Sequence, residues 1–219
     1  NKLITRQYEV ERSQNIILAI DAGRTMLQPI QKMSKLDYVV NTALMLSYVA
    51  VQGDDKVGLF VFDAETRIFI PPAKSKAQSY RIMNALYNVS ARMVESDYVA
   101  AFDDLATRWR RRSLFVLFTD LVDPDSSAGV LNAMTLIEKR HRSICVTVSD
   151  PNITTAAALN PETEADVYQK AVAMQTLHER RSAINILKRR GIWSVDSPPA
   201  TLSADLINRY MEIKARSAI

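Results

Sequence analysis

The sequence predicts a doubly wound α/β fold, with a mostly parallel sheet, one antiparallel edge strand and helices on both faces. Three observations predict it. Short apolar runs of strand length alternate along the chain with segments whose apolar residues recur at helical spacing. The runs are apolar at nearly every position rather than every second one, as in strands covered on both faces. One pair of runs is separated only by Asp63-Ala64-Glu65, a connection that reaches an antiparallel neighbour and nothing else.

The elements follow in order. Residues 15–20, Asn-Ile-Ile-Leu-Ala-Ile, form the first strand, which ends at Asp21. A helix begins at Lys35, where Ser34-Lys35-Leu36-Asp37 reads as a capping box with Asp in place of Glu. Leu36, Val39, Val40, Ala43 and Leu44 then mark its inner face. Residues 56–62 and 66–70 are the second and third strands, and Pro71-Pro72 closes that hairpin. A short helix spans 76–87. After a loop over 89–96, a helix over 97–112 carries the stripe Val99, Phe102, Leu105, Ala106 and Trp109. Residues 113–118 form a strand ending in Thr119-Asp120, followed by a helix over 128–139 and a strand over 143–148. Residues 152–164 are the best candidate for a mobile loop. A long helix over 162–190 has the stripe Val167, Ala171, Met174, Leu177, Ile184 and Leu187. A short strand over 192–195 and the turn Pro198-Pro199 lead to a closing helix capped by Ser203, with Leu206, Ile207, Tyr210 and Ile213 inward. The order read is β-α-β-β-α-β-α-β-α-β-α, within one domain over residues 1–219 that shows no internal repeat.

Composition excludes several functions. Lys and Arg number 28 against 24 Asp and Glu, a net charge of +4. That excess is too mild to point to nucleic acid. The basic clusters at Arg108 to Arg112, Lys139 to Arg142 and Lys188 to Arg190 fall at predicted helix C-termini, where positive charge suits the helix dipole. The single cysteine, Cys145, sits in an apolar run. It excludes an intrachain disulfide and multi-thiolate zinc, fits a reducing compartment, and reads as buried and inert. His141 and His178 lie in charged stretches and read as surface residues, whereas Trp109 and Trp193 read as packing residues. No run of ~18 apolar residues is present to span a membrane. The chain starts at Asn1 rather than Met, so a longer parent with any anchor upstream is expected.

Ligands of open α/β sheets bind beyond the carboxyl ends of the strands, where strand order reverses. Three segments converge there: Asp21-Ala22-Gly23-Arg24-Thr25 after the first strand, Glu95-Ser96-Asp97, and Thr119-Asp120. Two carboxylates at adjacent strand ends repel one another and lose hydration, and a divalent cation relieves both. Carboxylates and hydroxyls suit Mg²⁺, Mn²⁺ or Ca²⁺ and are poor for zinc or copper. The expected metal-ligating residues are Asp21, Thr25, Ser96 and Asp120. Gly23, Arg24 and Asp97 stand beside them, with Arg24 able to offset Asp21 or Asp120 and Asp97 able to act instead as a helix cap. There is no phosphate-cradling glycine motif among the five glycines.

The pattern Asp-x-Gly-x-Thr after an apolar strand, a loop Ser, then Thr-Asp after another apolar strand resembles the metal-ion-dependent adhesion site of von Willebrand factor A domains, a Rossmann-like fold. In that family the first motif is Asp-x-Ser-x-Ser. Asp21 and Thr25 match its ends, Ser96 matches the Thr of the second loop and Asp120 the Asp of the third, while Gly23 lacks the middle hydroxyl. Tyr8-Glu9-Val10-Glu11-Arg12, Lys35-Leu36-Asp37, Gly58-Leu59-Phe60-Val61-Phe62-Asp63, Leu117-Phe118-Thr119-Asp120-Leu121 and Tyr210-Met211-Glu212-Ile213-Lys214-Ala215-Arg216 resemble a narrower group. It is an uncharacterised, usually membrane-anchored bacterial family encoded beside MoxR-type AAA+ ATPases. The resemblance implies a cytoplasmic domain of an inner-membrane protein. It also implies a non-enzymatic role in assembly or maturation of other proteins with that ATPase, and partner binding through an acidic side chain that completes the metal shell. The enzymatic alternative is a haloacid dehalogenase-like phosphotransferase with Asp21 as nucleophile, whose Asp-x-Asp-x-Thr pattern this chain breaks at Gly23.

Overall fold

The computed structural model describes residues 13–122, 124 and 127–216; the Tyr8 to Arg12 motif lies outside them. Its centre is a six-stranded sheet. The strands are β1 (Asn15–Asp21), β4 (Lys56–Phe62), β5 (Thr66–Ala73), β6 (Leu114–Phe118), β7 (Arg142–Val148) and β8 (Trp193–Ser197), in the order β5-β4-β1-β6-β7-β8. All neighbours run parallel except β4 and β5. The antiparallel edge strand is therefore where the three-residue connection required it. It extends through Pro71 and Pro72 rather than stopping before them, with a register shift between Val57 and Leu59 opposite the pair, as prolines within sheets are confined to edge strands and bulges.

Side chains alternate across the sheet and divide the core in two. Ile16, Leu18 and Ile20 face one layer of helices: α1 (Lys35–Gln52), α2 (Lys76–Tyr87) and α7 (Leu202–Ala215). Ile17 and Ala19 face the other: α3 (Tyr98–Arg108), α4 (Ala128–Glu138) and α6 (Glu164–Arg189). A two-stranded ribbon, β2 (Pro29–Ile30) and β3 (Met33–Ser34), links β1 to α1. The Ser34 capping box forms as its sequence demands: Asp37 N–H donates to Ser34 Oγ and Ser34 N–H to Asp37 Oδ2.

Four expectations change. The N-cap of α7 is Thr201, and Ser203 lies within the helix. Residues 152–164 are not an irregular loop throughout, because α5 (Pro151–Ala158) occupies their first half, capped by Asp150 with Pro151 in the first turn. His141 is buried, not exposed, whereas His178 is exposed. In α6 the inner face consists of Ala173, Ala183, Ile184 and Leu187, while Val167 and Met174 of the expected stripe are exposed. That helix packs more extensively on α5 than on any other element, and α5 itself buries no residue. Among the described residues no helix is long and apolar enough to cross a membrane.

Candidate functional site

Strand order reverses at β1: the chain moves to one side through β4 and to the other through β6. Register places Ile20 beside Phe118, so Asp21 and Thr119 emerge together at the carboxyl rim. The alternation that sends Ile17 and Ala19 toward α3 sends Asp21 the same way, and Phe115 and Leu117 do the same for Thr119. Asp120 points to the α1 side.

Asp21 is fully buried and both its oxygens are engaged. Oδ1 accepts from Gly23 N–H at 2.8 Å and Ser96 Oγ at 2.5 Å. Oδ2 accepts from Tyr98 at 2.6 Å and Thr119 Oγ1 at 2.7 Å. Burial, and next the Asp21 charge, push the Tyr98 phenol well above its ordinary pKa, so it stays protonated and remains a donor. The two loops that carry these groups are pinned by backbone bonds from Arg24 N–H to the Val94 carbonyl and from Arg92 N–H to the Ala22 carbonyl, each 2.8 Å.

Asp120 has a different environment. Its Oδ2 accepts from Lys35 Nζ at 2.6 Å, and Oδ1 from Arg180 Nη1 at 2.8 Å. Lys35 also donates to Gln28 Oε1 at 2.5 Å. Arg180 uses all five of its N–H groups: Nη1 also reaches the Leu121 carbonyl, Nη2 the Val148 carbonyl and Asp196, and Nε Asp196. Burial alone would raise the Asp120 pKa. The Arg180 guanidinium and then the Lys35 ammonium outweigh it and hold the carboxyl below its ordinary value.

Of the expected residues, Asp21 and Ser96 bond directly, and Asp120 lies at the same rim in its own ion pairs. Thr25 sits half-buried in the 3-10 turn Arg24–Leu27, and its hydroxyl has no hydrogen-bond partner among the described residues. Asp97 caps α3, accepting from Ala100 N–H at 2.9 Å. Arg24 offsets neither Asp21 nor Asp120, but lies 3.6 Å from Glu95 on the surface. A β-carbon at Gly23 would stand 2.2 Å from Ser96 Oγ and 3.0 Å from the Val94 carbonyl. Ser96 thus fills the space that a side chain at position 23 would need.

These placements decide how well a divalent ion fits. Asp21 has its acceptor positions filled by four neutral donors, and Asp120 is matched by two buried cations. Among the described residues no three His, Cys, Asp or Glu side chains are grouped to hold a metal. As arranged, the residues do not fit a divalent ion. They give the phosphotransferase alternative no support either, since Asp21 has no free oxygen with which to attack and Gly23 supplies no acid.

Sequence reasoning missed Lys35, Tyr98 and Arg180, and it placed Thr119 in a converging segment without giving it a role. Tyr98 adjoins a residue already singled out, and Lys35 belongs to a quoted motif. Arg180 lies in the middle of a charged helix and carries no local signal. Around this network the loops expose apolar side chains: Met93 at 80%, with Leu27, Val94 and Val122 also open to solvent.

A family profile described as protein of unknown function DUF58 matches residues 1–159, and the chain belongs to that family. No curated protein matches it. The conserved hypothetical protein BatB from Bacteroides thetaiotaomicron superposes with a TM-score of 0.54 at 18% identity, over 93% of this chain and 100% of that one. An aerotolerance-related membrane protein from Bacteroides fragilis gives 0.54 at 15% identity, over 90% and 100%. The SpRpn10 VWA domain gives 0.52 at 12%, over 90% and 95%. At these identities the likeness establishes the von Willebrand factor A-like fold.

Proposed function

For this DUF58 protein we propose a non-enzymatic role: the domain binds another protein through the loops at the carboxyl ends of its strands. One observation carries this reading. The two rim carboxylates, Asp21 and Asp120, have their oxygens engaged by neighbouring groups, while the loops around them turn Leu27, Met93, Val94 and Val122 outward. A hydrolytic or transfer enzyme needs a poised nucleophile or base at such a rim. A docking face needs apolar contact area on a rigid support, and the buried network supplies the rigidity.

The first partner to test is an ATPase of the MoxR-type AAA+ class that the resemblance implies, with the domain displayed on the cytoplasmic side by a membrane-anchored parent. The motif resemblance supports that choice, and so does a structural neighbour described as a membrane protein. The experiment measures capture of that ATPase by wild type and by the double variant Leu27→Asp/Met93→Asp, with circular dichroism to check folding. Loss of a central apolar contact pair is expected to weaken binding roughly tenfold or more. Equal binding by the folded variant, or no capture by wild type, refutes the reading.

A further inference from the structure

We propose that the Lys35 ammonium and the Arg180 guanidinium are the resident cations of this rim. At Asp120 they take the charge-neutralising place that the resemblance assigns to a divalent ion, and neutral donors fill the acceptor positions of Asp21, so that the domain is complete without metal.

The position of Lys35 is the first argument. It is the first residue of α1, where the positive end of the helix dipole disfavours a cation. Surface lysines at such a place turn outward, yet this side chain is only 9% exposed. A buried ammonium persists only where a carboxylate and a further acceptor meet it. Asp120 and Gln28 are those groups.

Charge points the same way at Asp120. Asp120 and Asp196 carry two negative charges, and Lys35 and Arg180 carry two positive ones in direct contact with them, while Asp21 is met by neutral donors and stands outside this pairing. A divalent ion at Asp120 would have to displace Lys35 from Oδ2, leaving a buried ammonium held by a neutral amide alone. It would also meet an Arg180 whose every donor is committed to the surrounding carbonyls and carboxylates.

Space agrees. Gly23 has an ordinary extended backbone, with φ −82°, so glycine is not required there for its conformation. With Ser96 Oγ in its present place a β-carbon at position 23 would stand 2.2 Å from it and 3.0 Å from the Val94 carbonyl, so a side chain there would have to turn Ser96 away from Asp21. The loss of the middle hydroxyl and the closure of the Ser96 loop onto Asp21 are one arrangement, which supplies from the chain itself the contact that a bound shell would otherwise need.

The test uses the whole chain and two readouts. Wild type is melted in EDTA and in Mg²⁺, Mn²⁺ or Ca²⁺ at matched ionic strength, and bound Mn²⁺ is counted directly by electron paramagnetic resonance. At a hundredfold excess over Kd a specific ion would raise Tm by roughly 5–10 °C in a domain of this size. The expected result is no divalent-specific shift and no bound Mn²⁺. A rise with Mn²⁺, together with a bound signal that Asp120→Asn abolishes, overturns the proposal. In the second arm Lys35→Met is expected to lower Tm and Lys35→Arg to recover most of the loss. A Lys35→Met protein as stable as wild type overturns the proposal independently, and the wild-type Mn²⁺ count stands even if that variant fails to fold. Gly23→Ser is expected to lower Tm without creating a Mn²⁺ site, and a Mn²⁺ signal in that variant alone also counts against the proposal. None of these readouts involves a partner, so failure of the docking reading and failure of this one are separable.

Discussion

Lowering the pH from 7 toward 4 is expected to destabilise the fold through the single imidazole of His141, well before the carboxylates contribute. The residue follows α4, is 3% exposed, and has no hydrogen-bond partner for Nδ1. Burial first, and then the nearby Arg140 and Arg112 charges, lower its pKa from the ordinary 6.5 to about 4. The unfolded chain therefore takes up a proton near pH 6.5 that the folded chain refuses until about pH 4. The stability this contributes is fully present above pH 6.5 and is lost as pH falls toward 4. The separation of the two values sets a ceiling of about 3 kcal/mol, and about 2 kcal/mol of it is lost between pH 7 and 5. Urea denaturation at pH 7, 6 and 5 reads this directly as a falling midpoint at constant m. His141→Leu is expected to flatten that interval. Asp120 also has a depressed pKa, but as a carboxyl it starts to give up its contribution only once the pH falls below about 4, where the unfolded carboxyl takes up its proton, so the two effects do not overlap. If the His141→Leu protein keeps the same slope between pH 7 and 5, the assignment to this imidazole is wrong.

Two further outcomes follow from buried polar groups. Burial pushes the Cys145 thiol up to about 12, so native protein at pH 8 is expected to resist a thiol reagent and to react only as fast as it unfolds; labelling faster than unfolding refutes this. Asp55 is fully buried at the end of α1 and accepts from the Tyr210 hydroxyl, from Lys214 at 3.1 Å and from Gln14 N–H at 2.9 Å. Tyr210→Phe removes one of these donors and is expected to cost about 1–3 kcal/mol, measured as a shift in the urea midpoint; an unchanged midpoint refutes it.

Most of the sheet was legible because its strands are buried on both sides and so are written as unbroken apolar runs. β4 is a case in point, since Lys56 and the turn after Phe62 bound it unambiguously. The α1 start was legible because a capping box is a local device, contained in four residues. What failed was whatever depended on coverage. The stripe of α6 is correctly periodic, but periodicity says which face is apolar and not whether another element lies against it; Val167 and Met174 have none sufficient to bury them. His141 failed for the opposite reason, as charged neighbours along the chain say nothing of where the ring turns. At the rim, Asp21, Ser96 and Asp120 were legible as strand-end and loop groups. Their counter-charges were not, because Arg180 reaches Asp120 across 60 residues and only the folded path of α6 over the strand ends brings them together.

The paired prolines in β5 have a bearing on life at high concentration. An open sheet offers two borders at which another molecule's strand could add, and long unblocked borders are where soluble proteins begin to assemble into fibres. On the β5 side, Pro71 and Pro72 have no N–H to offer an incoming strand. A ladder begun along that margin is broken at the two prolines and cannot run the full length of β5.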